Sequence, residues 1–160
     1  LTGIPGRFST IGNLEDIVPR VADTLNFTCA GLYRIGDTFL SICSQSPQLT
    51  WFVIPFQIRA VSNNQYSLEC HNLIRLEYDG DSFPVISTGR QHFLVTFAKT
   101  IELYRLDDFH MIWNKSLPFY PESYVTHSVA AALSPDDRFV YFSSSGMEIE
   151  VEEVSLLTGS

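Results

Sequence analysis

The sequence predicts an all-β chain, and three observations carry that expectation. Short stretches rich in Val, Ile, Phe, Tyr, Thr and Leu follow one another from residue 27 onward. Turn residues stand between them at short intervals, among them Gly36-Asp37, Ser46-Pro47, Asn63-Asn64, Asp79-Gly80-Asp81, Gly89-Arg90, Asp107-Asp108 and Ser134-Pro135-Asp136-Asp137. Composition agrees, since 45% apolar and 13% aromatic residues are too many for a disordered chain and enough for a real core in 160 residues.

Residues 1–26 form an N-terminal segment with the only helical pattern in the chain. Leu14, Ile17, Val18, Val21 and Leu25 recur at spacings of three and four, and Asn13 can cap them. Pro19 removes an amide inside that pattern, which leaves one short helix or turn at 14–18. Strands are then expected at 27–34, 38–44, 50–56, 66–70, 73–78, 83–88, 92–98, 101–106, 109–113, 128–133, 138–144 and 148–154. Each is a β-branched or aromatic run closed by turn chemistry.

A repeat organises these strands. Phe83 to Thr88, His92 to Phe97, Thr100 to Leu106 and a strand around His110-Met111-Ile112-Trp113 make one round; Val129 to Ser134, Arg138 to Ser143 and Glu148 to Val154 begin the next. Aligning Phe93 with Phe139 gives an offset of 46, and Ile101 with Ile149 gives 48. Upstream, Gly31 to Arg34 and Thr38 to Ile42 match the opening 54 residues before the second copy. Period and strand count fit one four-stranded propeller blade per repeat.

The last repeat carries a family resemblance. Ala132-Leu133-Ser134-Pro135-Asp136-Asp137-Arg138-Phe139-Val140-Tyr141-Phe142-Ser143-Ser144, followed by Ile149 to Val154 and Thr158-Gly159, resembles a WD40-like or YVTN-like β-propeller blade. The Trp-Asp pair of that pattern is replaced by Glu152-Glu153 here and by Tyr104-Arg105 one blade earlier, so the blades are degenerate. His127 stands directly before the inner strand, too close for the usual Gly-His role. The expected fold is all-β, with about three four-stranded antiparallel propeller blades that are part of a larger β-propeller. Its divisions are 27–80, 81–127 and an incomplete 128–160 after the N-terminal segment. At about 45 residues per blade the chain holds only three to three and a half blades, fewer than propellers usually close with, which favours a portion of a longer propeller.

Function follows less directly. A net charge of −8 argues against an electrostatic grip on nucleic acid, and the longest apolar run, Trp51 to Phe56, is far too short to span a bilayer. The histidines His71, His92, His110 and His127 lie 17 or more residues apart without metal-site spacing. Asp107-Asp108-Phe109-His110 and Asp79-Gly80-Asp81 read as turns rather than metal corners. No nucleophile elbow, phosphate loop or dinucleotide fingerprint occurs, so no catalytic residue, metal or cofactor is expected.

The expected role is a non-catalytic scaffold that presents loop surfaces to other proteins, including remaining blades or another subunit of a complex. This is what the resemblance implies. The candidate partner-binding residues are Phe119, Tyr120 and Tyr124 on a proline-shaped connection, and Glu148, Glu150 and Glu152 on one face of the last strand. The acidic stripe also reads as a charged, solvent-facing edge that resists aggregation.

Cys29, Cys43 and Cys70 have neither Cys-x-x-Cys spacing nor an even count, so three buried reduced thiols are expected. Cys29 and Cys43 can also meet on neighbouring strands as a disulfide. Sequons at Asn26 and Asn114 do not exceed chance, and the compartment reading leans to the cytoplasm or nucleus. Two alternatives remain: a secreted or cell-surface recognition domain, with glycans at Asn26 and Asn114 and a Cys29–Cys43 bridge, and a propeller enzyme fragment with catalytic carboxylates on its loops.

Overall fold

The structure, a computed structural model, describes residues 27–45, 50–63, 65–70, 73–76, 83–97, 100–116, 131–143 and 149–153. They form β1 (Phe27–Ile35), β2 (Thr38–Gln45), β3 (Thr50–Ser62), β4 (Gln65–Cys70), β5 (Ile74–Leu76) and β6 (Val85–Thr88). The remainder are β7 (His92–Phe97), β8 (Thr100–Arg105), β9 (Met111–Ser116), β10 (Ala131–Leu133), β11 (Phe139–Ser143) and β12 (Ile149–Glu153). There is no helix among the described residues, and the expected helix at 14–18 lies outside them.

Among the described residues all pairings are antiparallel and fall into three sheets. The first runs β1-β2-β3-β4, with β5 also on β3; the second runs β6-β7-β8-β9; the third runs β10-β11-β12. The strand expected at 50–56 continues to Ser62, because β4 pairs with Phe56 to Ser62 while β5 takes Trp51 to Val53. Among the described residues Ile54 and Pro55 have no partner on that edge. Beyond Gln57, the last residue paired with β2, the β3–β4 hairpin projects as a two-stranded ribbon with Val61 and Tyr66 exposed. Likewise β9 begins at Met111 rather than 109, because Phe109 adopts φ 57° inside the turn.

The sheets stack, and alternation along β7 shows how. Every residue of β7 is buried. Phe93, Val95 and Phe97 pack with Tyr104 and Ile86 against Leu40, Ile42, Val53, Ile74 and Leu76 of the first sheet. Leu94, with Ile101 and Leu103 of β8, packs against Leu133 and Val140 of the third. The middle sheet is therefore covered on both faces, which a strand with a period of two achieves only if both residue sets are apolar. Trp51 and Trp113 are half-buried at the margins of these two clusters, and the Trp51 ring meets Phe83 edge-on at 5.0 Å.

This alternation bears on the alignment expected from the sequence. Phe93 faces the first sheet, whereas Phe139 lies on the face of β11 opposite Val140, which meets the middle sheet. An offset of 46 therefore pairs residues on unlike faces, and an odd offset such as 47, linking Phe93 to Val140, restores like faces. The opening turns change length too, but in steps of two residues, which shift the offset without exchanging faces. The last pair before each opening turn is Ile35↔Thr38, Thr88↔Phe93 and Leu133↔Val140, so each turn is longer than the one before.

The cysteines differ from the expectation of three reduced thiols. Cys29 and Cys43 are register partners on β1 and β2 and form a disulfide, and Cys70 lies outside that bridge. Direct opposition on neighbouring antiparallel strands brings the two Cα atoms within 4.0 Å, and the turn of Gly36 and Asp37 fixes that opposition. Burial pushes the Cys70 thiol above its ordinary pKa, which disfavours the reactive thiolate. Reducing the Cys29–Cys43 bridge is expected to lower stability by about 3 kcal/mol, the typical value for a loop of roughly 15 residues. Urea melts with and without reductant measure this, and coincident midpoints would mean that the thiols are unpaired in solution.

Candidate functional site

The most constrained polar geometry lies at the turn end of the sheets, where the third sheet grips the second. The β10–β11 turn, Ser134-Pro135-Asp136-Asp137-Arg138, is built on Ser134. Its Oγ accepts the N–H groups of Arg138 (3.0 Å) and Phe139 (2.9 Å) and donates to Asp136 Oδ1 (2.6 Å). The Ser134 hydroxyl, followed by the Arg138 amide, holds the Asp136 carboxyl below its ordinary pKa. The Ser134 carbonyl accepts the Asp137 N–H at 2.9 Å. Asp137 sits at φ 63°, left-handed backbone that Asp tolerates better than most residues.

That conformation delivers the Asp137 carboxylate into the β6–β7 turn. Oδ1 accepts the Arg90 N–H at 2.9 Å and Oδ2 accepts the Gln91 N–H at 2.8 Å. The His92 Nδ1 lies 3.3 Å from Oδ2 without an aligned hydrogen bond. Both side chains are nearly buried, at 10% and 7% exposure for His92 and Asp137. Gly89 makes the approach possible: a Cβ there would stand 1.6 Å from Asp137 Oδ1. One turn further along the same interface, the Leu133 N–H donates to Ser87 Oγ at 2.9 Å.

The joint between the first and second sheets has a different character. A pocket of about 420 Å³ opens there, lined by Thr38, Gln57, Arg90, Gln91, His92, Arg105, Leu106, Asp107 and Phe109. Gln57 Nε2 donates to Thr38 Oγ1 at 3.4 Å across β3 and β2. Arg105, at the end of β8, pairs with Asp108 and lies 3.5 Å from Asp107. Asp108 also accepts the His110 N–H at 3.0 Å, which closes the β8–β9 turn. The corner Asp107-Asp108-Phe109-His110 is thus an ion-paired turn around Arg105.

The Arg105 guanidinium, and then the His110 amide, hold the Asp108 carboxyl down at about 2. The folded value lies below the ordinary one near 3.8, so the pair is complete above that value and is lost as pH falls through about 2. A carboxyl ¹³C NMR titration is expected to place Asp108 among the lowest aspartates, and an ordinary midpoint would mean that the pair is absent in solution. Across β8, the Tyr104 hydroxyl donates to Glu102 Oε2 at 2.6 Å, and burial followed by that bond raises its pKa.

Of the residues singled out in the sequence, Phe119, Tyr120, Tyr124 and Glu148 lie outside the described residues. Glu150 and Glu152 stand on β12, the last strand of the third sheet, in register with Phe142 and Val140. The pocket is drawn from other residues, in four separate stretches of chain. Gly89-Arg90 and Ser134 to Asp137 were legible as turns, but nothing local signals that one inserts into the other. Among the described residues no group of three or more His, Cys, Asp and Glu is placed to hold a metal ion.

Comparison with protein-family models, with curated proteins and with solved structures finds no match to this chain.

Proposed function

We propose that the chain is a non-catalytic protein-interaction module, a portion of a degenerate WD40-like propeller whose three sheets are successive blades. The observation that carries this reading is the face-to-face stack, in which the middle sheet is apolar on both faces and a carboxylate joins it to the next sheet. Consecutive four-stranded meanders packed in this manner are the unit of a propeller. The polar groups around the turns are engaged in structural bonds, Asp137 with two backbone amides and Asp108 with Arg105 and His110, which supports presentation rather than chemistry. The outer face of the third sheet leaves Ala132 and Tyr141 exposed, as a terminal blade awaiting a neighbour does. Light scattering on the 160-residue chain is the test. Self-association, or a cooperative melt only with further sequence or a partner, fits a propeller portion; a stable cooperative monomer overturns it.

A second reading has one observation in its favour. The Cys29–Cys43 disulfide belongs in an oxidising compartment, which supports a secreted or cell-surface recognition domain over a cytoplasmic or nuclear one. Asn114 of the Asn-Lys-Ser sequon is exposed on β9, an edge strand of the middle sheet, where a glycan has room. Expression through a secretory pathway, followed by glycosidase treatment and mass measurement, tests this. A mass shift abolished in Asn114→Gln supports that compartment, and an unmodified chain with free Cys29 and Cys43 restores the intracellular reading.

A further inference from the structure

The two inter-sheet joints differ in one respect. At the second, a carboxylate from the chain itself, Asp137, sits on the β6–β7 turn. At the first, the same β6–β7 turn faces Thr38 and Gln57 across the open pocket. The turn lengths explain the contrast, since the segment after Leu133 is two residues longer than that after Thr88 and reaches its neighbour, whereas the shorter one does not fill the gap.

The pocket's free valences are those of an anion site. Arg59 is matched by Glu69, and Arg105 by Asp107 and Asp108, but the Arg90 guanidinium has no ion-pair partner among the described residues. Its backbone is held by Asp137, which fixes where the side chain starts. His92 contributes a nearly buried imidazole to the wall, its Nδ1 turned toward Asp137 and without an aligned hydrogen bond. Gln57, Gln91 and Thr38 add neutral polar groups. One unpaired guanidinium beside the negative Asp107 matches a single negative charge better than the double charge of a phosphate.

We propose that this pocket receives the carboxylate side chain of an acidic peptide segment of a partner protein, with Arg90 as its ion-pair partner. The inference rests on the interaction-module reading and gives that module a ligand chemistry. The second joint shows a carboxylate already seated on the backbone of this turn; the proposed site offers a second carboxylate the Arg90 side chain instead. The overall charge of −8 opposes an acidic partner at long range, so selectivity comes from this short-range pairing.

The test is selection of a random dodecapeptide display library on the 160-residue chain, repeated on Arg90→Glu. Arg90 is exposed and donates to Asp137 through its backbone N–H rather than its side chain, and matching thermal melts check that the variant folds. The expected result is a set of peptides sharing one Asp or Glu. Their affinity should fall about tenfold or more on changing that residue to its amide, and by a similar factor on Arg90→Glu. Peptides without a shared acid, or binding equally well to Arg90→Glu, overturn this site while leaving the module reading in place. Tighter binding of a phosphoserine at the shared position replaces the carboxylate with a phosphate. No enrichment at all overturns both.

Discussion

Gly89→Ala is expected to destabilise the chain by about 4 kcal/mol, a large effect for one methyl group. The added Cβ would fall 1.6 Å from Asp137 Oδ1 and 2.9 Å from Leu133 Cδ2, so the carboxylate must leave its seat. Its departure strands the Arg90 and Gln91 amides and removes the charge beside His92. Asp137→Ala removes the same bonds directly and keeps a left-handed residue, so it should cost a similar amount. Asp137→Gly loses the bonds but relieves the backbone, and should be milder by about 1 kcal/mol. Because Gly89 and Asp137 act on one contact, their effects should not add. In urea melts the double variant should lie close to either single one, with a coupling of about 2 kcal/mol or more. Strictly additive costs would show that the joint does not form in solution.

Phe93→Ala is expected to cost about 4 kcal/mol through the cavity it leaves. Phe93 is fully buried between the first and second sheets, its ring stacked on Tyr104 at 5.2 Å with Phe109 at 6.5 Å. Those neighbours belong to β8 and its following turn, which the backbone ladder holds in place, so little collapse into the void is available. Leu32→Ala is the control: Leu32 is 63% exposed and its loss should stay within about 0.5 kcal/mol. Similar costs for the two would mean that the middle sheet is not sandwiched.

The strands were legible because their signals are local. Val, Ile, Phe and Tyr runs and Gly, Asp, Asn and Pro turns lie within a few residues of one another, and each of the twelve expected strands has its counterpart. The extension of β3 was not, since Ile58 to Ser62 runs past the end of β2, is exposed from Arg59 onward and pairs only with β4. The facing of the expected repeats was obscured because Phe93 and Phe139 match in residue type, while Val140, one residue on, is the one that faces the preceding sheet as Phe93 does. The pocket and the joint were hidden for a deeper reason. Asp137 and Arg90 are 47 residues apart, and their meeting depends on how sheets stack, which composition and periodicity do not encode. The disulfide stood between: opposition of Cys29 and Cys43 was visible from the short hairpin, but their oxidation was not.

The double-sided burial of β7 leaves that strand with an ambiguity. A strand with one wet face cannot slide by a residue without exposing its apolar set, but β7 presents Phe93, Val95 and Phe97 to one side and Leu94 with Thr96 to the other. Threading it one position out of step would exchange two apolar sets at small cost in polarity. What resists that slip is the anchor at its head, where His92 meets Asp137 and the preceding amides are clasped. The joint therefore acts as the index mark from which the middle sheet is counted, and weakening it admits misaligned forms of the sheet as well as unfolded ones.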